Sequence, residues 1–245
     1  MRAVGVIPAR FESSRFPGKP LAPIAGMPMI QRVWRGARGA KSLERVIVAT
    51  DDARIADACR RFGAEVALTR PDHQSGTDRI AEVAARLDCD AVVNVQGDEP
   101  LIEGFVIDAA VAALAEDGEA PIATLVHAAE PDALGDPNRV KVVLDRRGRA
   151  LYFSRSAIPF ARLRGSEPRC WQHVGLYAYR REFLLRFPSL TPTPAERAEG
   201  LEQLRALEHG YVIRCAVIEG WTSAPVDVPA DVAVVEARLS GRARP

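Results

Sequence analysis

The sequence contains few cysteines, and their spacing argues against a metal cluster. The four cysteines, Cys59, Cys89, Cys170 and Cys215, lie far apart, and no Cys-x-x-Cys pair occurs. Structural metal clusters depend on closely spaced cysteines, whereas isolated cysteines behave as small apolar side chains. We therefore expect buried thiols in a protein that stays in a reducing compartment.

Long apolar runs and an excess of one charge are also missing. No stretch approaches the about 20 apolar residues of a transmembrane helix, and the opening run, residues 3–7, is too short for a secretory signal. The formal net charge is only +1, so neither nucleic acid nor a membrane surface is indicated as a partner. We expect a cytoplasmic protein with no nucleic-acid and no membrane partner.

The two common glycine-rich nucleotide motifs do not occur either. Neither Gly-x-x-x-x-Gly-Lys-Ser/Thr nor Gly-x-Gly-x-x-Gly is found in the sequence. These loops wrap the phosphates of nucleotides in P-loop proteins and in dinucleotide-binding proteins. Both of those classes are therefore disfavoured.

What the sequence does contain is a regular alternation of buried strands and amphipathic helices. With 245 residues and 47% hydrophobic residues, the chain can bury a large core, and we predict a single domain spanning 1–245. The alternation predicts an α/β fold, with a mainly parallel, Rossmann-like sheet flanked by helices. It stops near residue 120, and we expect a smaller mixed lobe over about 120–215. The predicted strands are 3–7, 45–50, 64–68, 90–95, 122–126, 140–144 and 150–154.

A basic loop, residues 8–20, follows the first predicted strand, and we call it the cationic arch. Arg10, Arg15 and Lys19 stand against a single acid, Glu12, while three prolines and Gly18 exclude regular structure. Ligands of open α/β sheets bind at the carboxyl ends of the strands, and these cations suit a nucleoside triphosphate. The alternative is an ordinary solvated loop.

Two acidic residues are candidate magnesium ligands. Asp98 lies in Gln-Gly-Asp-Glu-Pro at the end of the strand 90–95, where it would stand beside the cationic arch. Mg²⁺ needs only one or two carboxylates when phosphate and water complete its shell. The alternative is an acid that caps the next helix, a role open to Glu99 or Glu103. Asp227 precedes Pro229, and from the residues alone it is typical of a helix N-cap.

The segment 73–79 opens a helix and also suits a nucleotide base. Ser75 and Asp78 have the spacing of a capping box, while Gly76 leaves room for a planar base to approach the backbone. Arg79 lies in the first helical turn. We interpret His73 as a structural residue, since a single histidine more often makes a structural hydrogen bond than it catalyses.

Two later segments are candidate sugar-binding elements. In 171–179 large and small residues alternate as in a strand, which puts His173 and Tyr177 on one face; this face is either a pocket wall or core. In 196–205 three glutamates recur at helical spacing, a pattern usually found on a solvated face.

These strings occur together, and in the same order, in the sugar-acid cytidylyltransferases. The chain most resembles the 3-deoxy-manno-octulosonate (Kdo) cytidylyltransferase family, in the segments 8–20, 73–79, 94–100, 201–205 and 223–231. The resemblance implies that CTP and Kdo react to give CMP-Kdo and pyrophosphate for lipopolysaccharide assembly. It also implies Mg²⁺ as cofactor, a homodimer, and a lobe at 120–215 that supplies the sugar pocket and the dimer contact.

The resemblance further assigns roles to individual residues. It implies that Asp98 and Asp227 bind the metal, and that these two act with Arg10 and Lys19 in catalysis. The sugar acid would meet Arg155, His173, Tyr177, Glu202 and Gln203. The residues that would bind the nucleotide are Pro8, Ala9, Arg10, Ser14, Arg15, Lys19, Ser75, Gly76, Arg79, Gln96 and Asp98.

This sequence departs from the family near its second aspartate, and other functions stay open. Pro225, Val228 and Ala230 replace the usual Gly, Thr and Glu around Asp227, which makes its metal role less secure than that of Asp98. One alternative is a cytidylyltransferase for another sugar acid, such as 8-amino-Kdo or sialic acid. The other is a non-catalytic nucleotide-binding regulator.

Overall fold

A single mixed sheet with helices on both faces forms the centre of the protein. The computed structural model describes residues 1–162 and 169–241, so 163–168 of the predicted lobe and the residues after 241 lie outside the described part. In chain order the elements are β1 (Ala3–Ala9), β2 (Pro23–Ile24), β3 (Met27–Pro28), α1 (Met29–Arg38), β4 (Leu43–Thr50), α2 (Ala53–Arg61), β5 (Glu65–Leu68), α3 (Gly76–Ala84), β6 (Ala91–Asn94), α4 (Gly104–Glu116), β7 (Ile122–Ala128), β8 (Lys141–Leu144), β9 (Ala150–Ser154), β10 (Trp171–Arg180), α5 (Arg181–Arg186), α6 (Pro194–Glu199), α7 (Gln203–Glu208), β11 (Ile213–Val217) and α8 (Pro229–Leu239).

The first half of the chain forms the parallel part of the sheet, as predicted. The strand order is β6-β1-β4-β5, and each neighbouring pair is parallel. Ile7 and Val48 pack towards α1, α2 and α4, whereas Val4 and Ile47 pack towards α3 on the other face. Burial on both faces explains why these strands are continuous apolar runs.

The second half of the chain extends the same sheet with a mixed arrangement. β10 lies between β6 and β7 and is antiparallel to both, while β11 is parallel to β7. β8 and β9 form the predicted hairpin and join the sheet through the start of β10. The mixed sheet expected over 120–215 is therefore confirmed for its described residues. Within the described ranges, no helix has both the length and the apolar content required to cross a membrane.

The prediction of one acidic helix face over 196–202 is wrong. The backbone at Gly200 takes a left-handed conformation with φ of 61°, which ends α6 before α7 begins. The three glutamates therefore point to different partners. Glu196 pairs with Arg205, Glu199 accepts a hydrogen bond from Ser154, and Glu202 accepts one from Thr77.

The strand order fixes the position of the candidate site. β1 and β6 are parallel neighbours, so the cationic arch after β1 and the loop 95–100 after β6 leave the same edge of the sheet. This is the juxtaposition that the sequence predicts for Asp98 and the arch cations.

Candidate active site

The cationic arch is closed by contacts within the loop and by one contact from α2. The amide of Gly18 donates to the carbonyl of Phe11 at 2.9 Å, and the amide of Phe16 donates to Ser13 Oγ at 3.3 Å. The guanidinium of Arg54 stacks over the Phe11 ring at 3.3 Å from its centroid. These contacts close the loop on itself and fix it against α2. Its cations therefore lie along one edge of the sheet.

Lys19 brings the two predicted metal ligands together. Its Nζ lies 2.9 Å from Oδ2 of Asp98 and 3.5 Å from Oδ1 of Asp227. Arg15 adds a second ion pair to Asp227, at 3.2 Å. The Lys19 side chain is only 15% exposed, so solvent screens this cluster less than it would a surface ion pair. Two aspartates that lie far apart in the chain therefore face one ammonium group.

The Asp227 carboxylate is not used as a helix cap, which answers an alternative left open by the sequence. Asp231 takes that role, since its Oδ2 accepts hydrogen bonds from the amides of Asp227 and Val228 at 2.7 and 2.9 Å. The side chain of Asp227 points instead to Lys19 and Arg15. It is therefore available to a cation in the site.

The capping alternative for the loop after β6 is not observed either. Glu103 occupies the N-cap position of α4 without a side-chain hydrogen bond. Glu99 is buried and accepts hydrogen bonds from the hydroxyl of Ser223 and from the amide of Ala224. Burial raises the pKa of the Glu99 carboxyl to about 7, while the hydrogen bonds from Ser223 and Ala224 act in the opposite direction.

The donor set of the site suits a hard cation such as Mg²⁺. Asp98 and Asp227 offer carboxylate oxygens around one position, now bridged by the Lys19 ammonium. Within the described ranges, no cluster of three or more His, Cys, Asp or Glu side chains could hold a metal by itself. Mg²⁺ in proteins is commonly held by one or two carboxylates together with substrate phosphates, so two carboxylates beside a cationic loop suit this ion.

A smaller cavity of about 270 Å³ collects the predicted nucleotide-binding residues. All of them line it except Ser14, whose neighbour Ser13 lines it instead. Arg10 is exposed there and has no hydrogen-bond or ion-pair partner among the described residues. Arg79 is buried and paired with Asp51 at 3.1 Å, so its charge is largely neutralised within the protein. Arg15 and Lys19 are also paired with acids, so Arg10 is the arch cation most available to an incoming anion.

The predicted capping box is confirmed at the wall of this cavity. Ser75 Oγ accepts from the amide of Asp78 at 3.1 Å, and the Asp78 carboxylate accepts from the amide of Ser75 at 3.2 Å. His73 contacts Glu82 at 2.6 Å through Nε2. The cap fixes the backbone at Gly76, where a base could lie flat against the chain.

A larger cavity of about 910 Å³ meets the smaller one at the two aspartates. Arg15, Gln96, Asp98 and Asp227 line both cavities. Most of the rest of its wall comes from residues 130–140, the first half of β10, residues 222–228 and α8, and Glu99 and His127 also line it. The paired carboxylates thus stand at the junction of two spaces, and each space is large enough for part of a small substrate.

The predicted sugar-binding residues divide into two groups. His173 lines the larger cavity, and its Nε2 lies 2.9 Å from Thr124 Oγ1. The Arg155 guanidinium donates to three backbone carbonyls, those of Pro137, Glu199 and Gly200. Neither cavity is lined by Arg155, Tyr177, Glu202 or Gln203. Their sugar-binding roles stay predictions.

Burial changes the acid–base properties of this region. It lowers the pKa of His173 to about 3, because the protonated ring would lose much of its hydration there. It raises the pKa of Tyr177 well above its usual range, and it also raises the pKa of Glu202. His173 and Tyr177 are therefore neutral at physiological pH, so they can act as hydrogen-bonding groups but not as charges.

Several cavity residues were not identified from the sequence. His127 lines the larger cavity, with Nδ1 donating to the carbonyl of Ala128 at 2.8 Å and Nε2 unpaired among the described residues. Asn138, Arg139 and Gln172 line it as well. They lie in segments that read as an ordinary polar loop or as the start of a strand, so no local pattern distinguishes them.

The parallel sheet, the cationic arch and the paired carboxylates are the features of a nucleotidyltransferase. The family model described as "Cytidylyltransferase" matches residues 4–214. The chain is 52% identical to a 3-deoxy-manno-octulosonate cytidylyltransferase of Syntrophotalea carbinolica, over 98% of this chain and 100% of the relative. It is also 52% identical to the protein of that name from Myxococcus xanthus, over 98% of each chain.

A solved structure agrees with these sequence matches. A CMP:2-keto-3-deoxy-manno-octonic acid synthetase complexed with CTP superposes with a TM-score of 0.94 at 43% identity, over 99% of this chain and all of that one. The chain therefore belongs to the 3-deoxy-manno-octulosonate cytidylyltransferase family.

Proposed function

We propose that this protein transfers CMP from CTP to Kdo and releases pyrophosphate. The observation that carries this function is the junction of two cavities at Asp98 and Asp227, in a chain of the Kdo cytidylyltransferase family. A nucleotide in one cavity and an acceptor in the other would meet at these carboxylates. The related synthetase was solved with CTP, which supports CTP as the nucleotide.

The smaller cavity suits the triphosphate and the base. Arg10, Arg15 and Lys19 line its arch side, and Ser75 and Gly76 line the opposite side. Arginine can bridge phosphate oxygens with two hydrogen bonds, and lysine can approach them as a point charge. We infer that the phosphates lie along the arch and that cytosine lies at the start of α3.

The larger cavity suits the acceptor. Its wall combines acids such as Asp136, the cations Arg15, Arg139 and Arg238, and neutral groups such as Gln172 and His173. The acids and neutral groups can bind the hydroxyls of a polyhydroxy acid, and the arginines can bind its carboxylate. Because burial keeps His173 neutral, it would contact hydroxyl groups, and the carboxylate of the acceptor would need an arginine. The predicted roles of Arg155, Tyr177, Glu202 and Gln203 would require the acceptor to reach beyond this cavity.

Asp98 and Asp227 are the residues that would hold Mg²⁺. When bound, the ion neutralises phosphate charge and polarises the oxygens around it. Lys19 partly compensates the two carboxylates from 2.9 and 3.5 Å. Lys19 also donates to the carbonyl of Val226 at 2.9 Å, so it stays in the site beside any cation that enters.

The chemistry requires positioning and charge stabilisation rather than a covalent intermediate. The anomeric hydroxyl of Kdo loses its proton to solvent and its oxygen forms a bond to the α-phosphorus, while the bond from that phosphorus to the pyrophosphate oxygen breaks. Negative charge grows on the leaving pyrophosphate, and the exposed guanidinium of Arg10 and the ammonium of Lys19 are placed to stabilise it. Neither serine nor cysteine has to act as a nucleophile.

The function is tested by pyrophosphate release. The purified protein is assayed with Mg²⁺ and each of CTP, UTP, ATP and GTP, in the presence of Kdo, 8-amino-Kdo or sialic acid. We expect the highest rate with CTP and Kdo, and no release without a sugar acid. Release with sialic acid but not with Kdo would refute the proposed acceptor. Binding of CTP without release under every condition would instead identify a nucleotide-binding regulator.

We further propose that the protein works in the cytoplasm as a homodimer and supplies lipopolysaccharide synthesis. CTP is a cytoplasmic substrate, and Cys59, Cys89 and Cys215 are buried as expected for a reducing compartment. Leu151 and Phe160 expose 61% and 86% of their surfaces near the β8–β9 hairpin, which supports a subunit contact there. Sedimentation equilibrium tests the dimer, and Phe160→Asp should shift the protein to monomers.

A further inference from the structure

A buried carboxylate joins the two segments that carry the paired aspartates. Glu99, which follows Asp98 directly, is only 8% exposed. Its Oε1 accepts a hydrogen bond from the amide of Ala224 at 2.7 Å, and its Oε2 accepts one from the hydroxyl of Ser223. Both oxygens of the carboxylate are therefore engaged by the segment that leads to Asp227.

Further hydrogen bonds connect the same two segments. The amide of Val226 donates to the carbonyl of Asp98 at 2.9 Å, and the indole of Trp221 donates to the carbonyl of Leu101 at 3.1 Å. Glu99 is the one side chain with an ionisable group among these contacts. We call residues 98–101 and 221–226, joined in this way, the clamp.

The clamp matters because the segment before Asp227 has no regular structure. β11 ends at Val217 and α8 begins at Pro229, so residues 218–228 lie outside the helices and strands. Asp98 is positioned by the end of β6, whereas Asp227 is held by Asp231 at the start of α8 and, on the side of Asp98, by the clamp. If this loop were free to move, the Asp227 carboxylate would occupy many positions. The affinity for a cation shared by Asp98 and Asp227 would then fall.

We propose that Glu99 is a positioning residue that holds Asp227 opposite Asp98. Glu99 lines the larger cavity, but both of its oxygens are engaged by Ser223 and Ala224, and we therefore assign it to holding the segment and not to binding the reactants. The expected effects on kinetics rest on the proposed function. The hydrogen bonds that join the two segments do not depend on it.

Three variants separate the hydrogen bonds of Glu99 from its charge. Glu99→Gln keeps an oxygen for the Ala224 amide and places an NH₂ group that can donate to Ser223 Oγ. Glu99→Leu removes both contacts with little change in volume. Glu103→Leu is the matched control, because Glu103 is exposed and its side chain caps nothing.

Two readouts are measured, and one of them needs no turnover. Without nucleotide or Mg²⁺, hydrogen exchange of peptides covering 221–228 should be about tenfold faster in Glu99→Leu than in the parent protein, while peptides of β4 are unchanged. In steady-state assays, Glu99→Leu should lower kcat and raise the Mg²⁺ concentration for half-maximal rate, each by about 10- to 100-fold. The KM for CTP should change less than about threefold, because the arch is untouched.

The conservative variant decides between positioning and charge. We expect Glu99→Gln to stay within about threefold of the parent protein in every readout, because it keeps the hydrogen bonds. If Glu99→Gln were as impaired as Glu99→Leu, the inference would be overturned, because the charge of Glu99 and not its hydrogen bonds would then be required. An unchanged exchange rate in 221–228 of Glu99→Leu would overturn it as well.

Failure of the proposed function would give a different result from failure of the Glu99 inference. The parent protein would then release no pyrophosphate from CTP and Kdo, whereas the exchange comparison would still decide whether Glu99 holds the segment. If Glu99→Leu did not fold, shown by fast exchange in β4 as well, Ser223→Ala provides the second test. It removes one clamp contact at a less buried position, and it should raise exchange in 221–228 and the Mg²⁺ requirement in the same direction.

Discussion

Lys19 and Asp98 lie far apart in the chain, yet Nζ of the lysine is 2.9 Å from Oδ2 of the aspartate. The same Nζ is 3.5 Å from Oδ1 of Asp227, so one ammonium group partly compensates two acids. A divalent cation placed between those carboxylates would share this role with the lysine. The charge balance of the site can therefore be tested by replacing the lysine or by replacing an aspartate.

Replacing Lys19 by Met should make the protein more responsive to Mg²⁺. Without the ammonium group the two carboxylates repel one another, and a bound cation relieves that repulsion. We expect Mg²⁺ to raise the melting temperature of the variant about 2–4 °C more than that of the parent protein, which corresponds to about 1 kcal/mol. Differential scanning fluorimetry at increasing Mg²⁺ measures this. The control is Lys41→Met, at an exposed lysine, and equal shifts in Lys19→Met and Lys41→Met would contradict the prediction.

Asp98→Asn should abolish turnover and leave the fold intact. Asparagine keeps the shape of the side chain but removes the charge that would hold a cation, and Lys19 still has Asp227 as its partner. We expect kcat to fall at least about 100-fold, with the melting temperature within about 3 °C of the parent value. Asp57→Asn on the exposed side of α2 should change neither quantity. An unfolded Asp98→Asn protein would count against the metal role.

Gly18→Ala should damage the cationic arch. Gly18 has a φ of 71°, and an added Cβ would lie 3.1 Å from the ring of Phe11. We expect a loss of about 1–2 kcal/mol in the free energy of unfolding, together with a higher KM for CTP. Gly26→Ala is a matched control, because Gly26 has a φ of 75° but nothing within 4 Å of its Cβ position. If Gly26→Ala raised the KM equally, the contact with Phe11 would not be the cause.

Because of His173, the free energy of unfolding should be lower in mild acid than at neutral pH. Burial lowers the pKa of His173 to about 3, whereas the unfolded chain has the usual value of about 6.5, so the unfolded state binds a proton that the folded state refuses. The stability is fully present above pH 6.5 and is lost progressively as the pH falls towards 3.

The measurement is urea unfolding of the parent protein and of His173→Phe at several pH values. Between pH 6.5 and pH 5, we expect the parent protein to lose about 2 kcal/mol more than the variant. Phenylalanine is chosen because the His173 ring already packs against Phe153 and Tyr177. His209→Phe, at an exposed histidine, should keep the pH dependence of the parent protein. Parallel curves for the parent protein and His173→Phe would refute the assignment.

Much of the fold could be predicted because its signals are local. The apolar run at β1, the Ser75 cap of α3 and the turn between β8 and β9 each depend on neighbouring residues, and each was found as expected. The location of the arch also followed from sequence, since a loop after a buried parallel strand leaves the binding edge of such a sheet.

The parts that could not be predicted depend on contacts between distant segments. No pattern in 171–180 indicates that β10 inserts antiparallel between β6 and β7. Glu99 read as a candidate cap because its true partners, Ser223 and Ala224, lie far downstream. The break at Gly200 was missed because the glutamates on either side of it keep a helical spacing.

The order of synthesis follows from the position of Asp227. The last strand of the sheet ends at Val217, so the ribosome completes the arch and the whole sheet before it adds the second carboxylate. On the proposed function, a chain that stops between Val217 and Asp227 would contain the complete sheet but only one of the paired carboxylates. Catalytic competence would thereby be reserved for chains whose translation has passed beyond the sheet.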